Sequence, residues 1–342
     1  MNRRGAPAGV SSPLIVVMNN FMKNANLWRS ALTYLAAGLV MIYMSYRLPS
    51  LLPGDFVEAM YANSHVTLTA QQEAELKAYY TQQQGFGDYL IDLLSLNWGY
   101  SYAFLTPVSE LFLEALPWTL LLMGGAQFLA MLFGFLAGVE AAWRRGGRLE
   151  KTGVGIMTVL EGIPEIGSGV LLLLIFALHL GWFPAAGAET AYAQHAIAGR
   201  LLDVLHHLAL PLATLVLAYF PGNFLLARAS VVMTLKSQFV QTARAKGLRP
   251  RIIRYAHVAR NALLPLVTRF GLRIAFMITG ALVVETIHSY PGLGTLLFNA
   301  IAVRDLPLIQ GIVLFSSLMV LAINLILAWT YGRLDPRVKN AF

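Results

Sequence analysis

Phe239-Val-Gln-Thr-Ala-Arg-Ala-Lys-Gly247-Leu, continued by Arg260-Asn-Ala-Leu-Leu-Pro265, is a basic, helix-forming stretch between two apolar runs. Its surroundings decide the fold class. Hydrophobic residues make up 57% of the chain and charged residues 12%, where a soluble domain carries about 25% charge. Mean hydropathy is +0.61. The chain reads as an all-α polytopic membrane protein, with 232–262 a polar loop kept on one side. No cysteine is present, which excludes disulfides, thiolate metal sites and cysteine nucleophiles.

Six spans, each near the roughly 20 residues a bilayer core requires, are predicted at about Leu27–Leu48, Leu116–Trp143, Val154–Leu180, Leu208–Ala227, Leu263–Val284 and Leu308–Tyr331. The first is too long for a signal peptide and lacks its cleavage flank, so it reads as a retained anchor after an extension, 1–26. Lys and Arg set the orientation. One set of segments holds Arg3, Arg4, Lys23, Arg29, Arg144, Arg145, Arg148 and Lys151. The same set continues with Lys236, Arg244, Lys246, Arg249, Arg251, Arg254, Arg260, Arg333, Arg337 and Lys339. The opposite set holds Lys77, Arg200 and Arg304, with Arg47 at a boundary. Both termini and 232–262 are therefore expected in the cytoplasm. The net charge of +8 marks topology rather than a nucleic-acid partner.

This divides the chain into the cytoplasmic extension 1–26, a first helix 27–48, an acidic extracytoplasmic segment 49–115, a five-helix domain 116–331 and a cytoplasmic tail 332–342. In the outer segment, Thr69-Ala-Gln-Gln-Glu73 predicts a short amphipathic helix with Thr at its cap.

The wording Ala243-Arg-Ala-Lys-Gly247, then Asn261-Ala-Leu-Leu-Pro265, resembles the coupling segment of ATP-binding-cassette importer permeases of the dipeptide/oligopeptide/nickel branch. Leu52-Pro-Gly-Asp55, Asn97-Trp-Gly-Tyr-Ser101 and Leu180-Gly-Trp-Phe-Pro184 are similar to family elements and stand in family order. So do the run from Val284 to Gly294, Asp305-Leu-Pro-Leu-Ile-Gln-Gly311 and Leu334-Asp-Pro-Arg337. Tyr79–Gly87 departs from the pattern, as do Glu161, Glu165, Arg269 and Arg273.

The resemblance implies a type-I importer in which this chain and a homologous second permease enclose the path of a small polar solute. Peptide is the first expectation, with nickel or a metal chelate behind it, delivered by an extracytoplasmic binding protein. It also implies that Thr242, Ala243, Arg244, Ala245, Lys246 and Gly247 meet cytosolic ATPase subunits, with Ala243 and Ala245 allowing close approach. Gly-x-x-x-x-Gly-Lys-Ser/Thr is absent, so no catalytic residue or bound cofactor is expected here. ATP and Mg belong to the partner subunits.

Plainer readings stand beside these. The seven cations of 232–262 also suit an amphipathic stretch on anionic lipid. In the coupling reading, by contrast, Gly247 would relax the backbone at a turn and Pro250 would open a second helix. Pro164, Pro211 and Pro221 predict interrupted spans, or are the ordinary prolines of membrane helices. His179, His195, His206 and His207 make a poor metal site, because adjacent His206 and His207 diverge by about 100° on a helix. Asp203 and His206 share a face. Glu285, before the turn at Pro291-Gly292, either orders that loop or meets cargo.

The intramembrane charges carry the sharpest expectation. Counted along straight helices, Glu161 and Glu165 lie roughly 10 and 16 Å deep, and Arg269 and Arg273 roughly 9 and 15 Å. Two i,i+4 stripes of opposite sign then face each other in or beside the path, because lone buried charges cost several kcal/mol. They form a structural ladder, they also screen cargo in favour of polar or zwitterionic solutes, or the arginines snorkel toward the cytoplasmic interface. A rival class, an autonomous ion-coupled transporter or channel, would use Glu161 and Glu165 as a proton relay.

Overall fold

The computed structural model describes residues 32–47, 51, 56–61, 69–80, 85–95, 97–192 and 196–334. The extension 1–26, Leu52-Pro-Gly-Asp55, His195 and Asp335-Pro-Arg337 lie outside them. Every regular element among the described residues is helical.

Helix α1 covers 32–47. Three short helices follow: α2 (Phe56–Tyr61), α3 (Ala70–Tyr80) and α4 (Phe86–Leu94). The cap of α3 forms as a reciprocal pair. Thr69 N donates to Gln72 Oε1 at 3.0 Å, and Gln72 N to Thr69 Oγ1 at 3.4 Å, a capping box with Gln at its third position. The helix is not amphipathic as expected, because AQQEAELKAYY carries no apolar stripe. Helix α4 instead docks its aromatic side on α1, where Phe86 meets Tyr43 and Tyr46 and Tyr89 reaches Ser45.

Val108–Thr119, the π-wound turn Leu120–Gly124 and Gly125–Trp143 make one helix, α5. Arg148–Glu161 is α6. Glu165–Leu172 runs into π-wound Leu173–His179 as α7, and Ile197–Thr234 is α8. Helices α5 and α8 hold 36 and 38 residues, about 54 and 57 Å, so both overrun a hydrocarbon core of about 30 Å. They therefore start earlier than the apolar runs predicted, and α8 also ends later.

Gly134 and Gly138, one turn apart on α5, bring these two backbones together. A Cβ on Gly138 would stand 2.7 Å from both Ala227 Cβ and Phe224 O, and one on Gly134 would stand 2.8 Å from Asn223 Cβ. Small residues at this spacing are what membrane helices use for backbone contact. Pro211 and Pro221 lie inside α8 without breaking it, which corrects the interruption expected there.

The segments predicted as the third and fifth spans are bent, the third at Pro164, one of the interruptions expected, and the fifth where a straight helix was expected. Helices α6 and α7 meet at 93°. Pro164 has no N–H to extend α6 and keeps Ile163 out of helical geometry, so it becomes the extended N-cap of α7. After Gln238–Ala245 (α9), Pro250–Ile252 runs through π-wound Ile253–Ala259 into Arg260–Ala262 (α10). Leu264–Ala275 (α11) is followed by Met277–Ile287 (α12), and the axes of Leu264–Ala275 and Gly280–Ile287 make an angle of 61°. Leu293–Ala302 (α13) and Leu306–Leu334 (α14) complete the bundle.

The main core joins α5, α8, α12, α13 and α14 around Phe112, Leu122, Leu215, Tyr219, Met277, Leu293 and Leu308. Leu35 and Leu39 of α1, Phe128 and Phe133 of α5, and Ile166 and Leu171 of α7 face outward. An apolar belt of this extent is a surface for lipid or protein, not for water. Helices α5 and α8 and the 306–326 part of α14 are long and apolar enough to cross a membrane, and each bent pair adds a span if counted as one.

Candidate functional site

Glu161 closes α6 and Glu165 opens α7, so the two glutamates flank the 93° bend. The single acidic stripe expected on one straight helix does not form, and depth cannot be counted through the break. Arg269 and Arg273 do share a face of α11. With Pro265, Thr268, Leu272 and Phe276 they line an open groove of about 410 Å3.

The two arginines differ in their partners. Arg269 Nη2 lies 3.6 Å from Glu161 Oε1, and its Nη1 donates to the carbonyl of Gly222 at 3.3 Å. Three helices, α6, α8 and α11, thus meet at one guanidinium. Arg273 carries its guanidinium 4.6 Å above the ring of Tyr219, a buried residue of α8 whose hydroxyl lies 3.4 Å from Gly280 O. Glu165 feels the charge of Arg273 but is not within ion-pair distance of it.

The basic loop folds as a layer beneath the bundle. Val240 and Ala243 of α9 and Ile253, Val258, Ala259 and Ala262 of α10 bury against Val139, Ala142 and Val231 at the ends of α5 and α8. Ser237 is the N-cap of α9, Gly247 turns the chain at φ +70°, and Pro250 opens α10. Only glycine takes that φ without strain. Arg254 is clamped over Trp143, 4.8 Å from the ring, with Nη1 2.5 Å from Glu140 Oε2. Glu150 likewise ties α6 to α8 through Arg228 Nε at 2.9 Å.

This layer separates the six residues expected to meet a partner. Ala243 is 5% exposed and belongs to the chain's own core, so it is not available for close approach by another subunit. One turn of α9 has room for a single inward residue here, and Ala243 fills it. Thr242, Arg244, Ala245, Lys246 and Gly247 are exposed.

At the other end, Glu285 is fully buried and orders its loop. Its Oε1 accepts from Thr119 Oγ1 at 2.6 Å, and its Oε2 accepts from the backbone N–H of Gly294 at 2.7 Å and of Thr295 at 3.2 Å. Thr119 Oγ1 in turn accepts from Leu293 N at 2.8 Å. The carboxylate therefore caps the first turn of α13, where helix donors lack partners.

Asp305 does the same for α14, accepting from Leu308 N at 3.3 Å, while holding Ser101 Oγ at 2.5 Å and Ala103 N at 3.0 Å. The motifs around Ser101 and Asp305 thus hold each other, while Glu285 caps the turn that closes its own motif. Two of the histidines, His206 and His207, are committed locally. His206 Nε2 lies 2.8 Å from Trp182 O, and Asp203 pairs with His207 at 3.4 Å rather than with His206.

Residues 130–340 match the model of the family described as binding-protein-dependent transport system inner membrane component. The chain is 34% identical to the di/tripeptide transport system permease protein DppB of Pseudomonas aeruginosa, covering 87% of this chain and 93% of that protein. It is 36% identical to the oligopeptide transport system permease protein AppB of Bacillus subtilis over 68% of this chain and 73% of that one. Identity to the glutathione transport system permease protein GsiC of Pectobacterium atrosepticum is 32%, over 88% and 94%.

Proposed function

The chain belongs to the family of inner-membrane components of binding-protein-dependent transport systems, and from that premise we propose how it is arranged and what it carries. It is a multi-pass bacterial inner-membrane protein and the permease subunit of an ATP-binding-cassette importer. In our reading the six spans are α1, α5, the bent pair α6–α7, α8, the bent pair α11–α12 and α14, with both termini cytoplasmic. The distribution of Lys and Arg supports this orientation.

The cargo is a short peptide, a reading supported by the names of the relatives. An extracytoplasmic binding protein delivers it, and a second, homologous permease completes the path. ATP and Mg act on separate cytosolic subunits. The exposed face of α9 and its turn, Thr242, Arg244, Ala245, Lys246 and Gly247, meets those ATPases. The α9–α10 layer shares a core with α5 and α8, so motion imposed on it reaches the membrane helices directly. Alternating access is then a population shift between two packings, biased by ATP. Glu161 and Arg269 hold the broken third span against the fifth, beside the path.

The observation that carries this reading is the buried foundation of α9 beneath an exposed basic rim. Purifying the chain from its native membrane tests it. ATPase subunits and a sister permease should co-purify, and the reconstituted complex should take up short peptides only with ATP and binding protein. A lone homodimer that transports without ATP would replace it with the ion-coupled class.

A further inference from the structure

Arg269 is committed to Glu161 and the Gly222 carbonyl. Arg273 is not. Among the described residues no carboxylate oxygen lies within 4.0 Å of it. Its guanidinium rests on the Tyr219 ring, and it lines the open groove together with Arg269 and Thr268. The aromatic face holds the cation in place, and a guanidinium has five N–H donors, more than the single Tyr219 hydroxyl can accept from. Glu165, half-buried at the start of α7, stands across the bend from Glu161, whose partner Arg269 lies one turn before Arg273 on α11. The two charges balance, and among the described residues neither side chain makes an ion pair within 4.0 Å.

We propose that Arg273 and Glu165 form a docking station for a zwitterionic cargo, Arg273 taking its carboxylate and Glu165 its ammonium group. The inference rests on the peptide reading above and names the feature recognised, the two free ends of a short peptide. A site that is neutral before the cargo enters stays neutral with a zwitterion in it. A cargo with one net charge leaves an uncompensated charge there, which is costly. The planar guanidinium matches a carboxylate in two-point contact. Pro265, Leu272 and Phe276 leave the rest of the groove apolar, suited to cargo side chains of varied shape. Its volume falls within the about 300–1,000 Å3 of small-ligand sites.

The full transporter, with sister permease, ATPases and binding protein in proteoliposomes, tests this with trialanine, trialanine amide and N-acetyl-trialanine. Loss of a charge-assisted contact corresponds to roughly a tenfold or larger effect. Arg273→Gln should therefore slow trialanine and N-acetyl-trialanine by about that factor and leave trialanine amide within about twofold of wild type. Glu165→Gln should slow trialanine and the amide and spare the N-acetyl form. Where Arg273→Gln lowers the amount of assembled complex, Arg273→Lys keeps the cation without the two-point fork. It should raise KM for the carboxylate-bearing cargoes alone. Equal slowing of all three cargoes by each variant overturns the station and leaves the importer reading standing. A wild-type complex that imports none of the three, while hydrolysing ATP on its own cargo, removes the peptide reading itself.

Discussion

The carbonyl of Gly222 accepts a hydrogen bond from Arg269 at 3.3 Å, and Gly222 has no room for a side chain because Arg269 and Glu161 fill the space a Cβ would occupy. The glycine is what lets an ion pair sit against the middle of α8. Gly222→Val should displace the pair and lower stability by about 1–3 kcal/mol, the usual cost of overpacking. Thermal unfolding of the purified complex reads this. An unchanged melting temperature would mean that the pair shifts aside freely.

Glu161 and Arg269 should be energetically coupled. Glu161→Arg and Arg269→Glu should each reduce the amount of assembled complex, and the double swap should recover it. Both side chains are partly exposed, so we expect a coupling of about 1 kcal/mol rather than several. A double variant as depleted as the worse single one would show that the pair contributes nothing.

Much of this was legible in the sequence, and the exceptions have physical causes. Apolar runs located the helices, and Lys and Arg gave them an expected direction. Pro250 and Gly247 marked the turn between α9 and α10 correctly because each fixes a local φ. Proline in a long helix is ambiguous, since Pro164 breaks its span whereas Pro211 and Pro221 are absorbed into α8. The difference lies in packing against α5, and Gly134 and Gly138 carried a signal for it, a small residue every fourth position. The bend after Ala275 runs across 276–279, which hold neither Pro nor Gly, so its one local signal is Gly280 at the far side. Matched depth and opposite sign pair Arg269 with Glu161, although the i,i+4 stripe behind the pairing fails at Pro164.

Glu285 and Thr119 should act as one cap. Glu285→Ala leaves the N–H groups of Gly294 and Thr295 without their carboxylate acceptor, at about 1–3 kcal/mol for each orphaned donor. We expect faster proteolysis of the 288–295 turn and a lower melting temperature. Thr119→Val, which removes both the donor to Glu285 and the acceptor for Leu293, should produce a comparable loss. Equal protease resistance in wild type and both variants would refute the cap.

A reporter active only in the cytoplasm should be silent when fused after Lys77 and active when fused after Arg254. The reasoning is electrostatic, since Lys and Arg near span ends are retained on the cytoplasmic side. The opposite pattern would invert the molecule and move the α9–α10 layer outside.

The two alanines of the basic loop should separate folding from coupling. Ala243 is packed among Val139, Val231 and Val258, so Ala243→Trp should disrupt the layer itself and reduce the amount of folded complex. Ala245 is exposed one turn end away. Ala245→Trp should leave assembly in the membrane and melting temperature near wild type, yet abolish ATP hydrolysis stimulated by cargo-loaded binding protein. Gly247→Val adds a backbone effect, because a β-branched residue at φ +70° costs about 1–2 kcal/mol. It should tilt α9 against α10 and weaken stimulation in proportion. Full stimulation with Ala245→Trp in a complex that still holds its ATPases would place the contact elsewhere on the cytoplasmic rim.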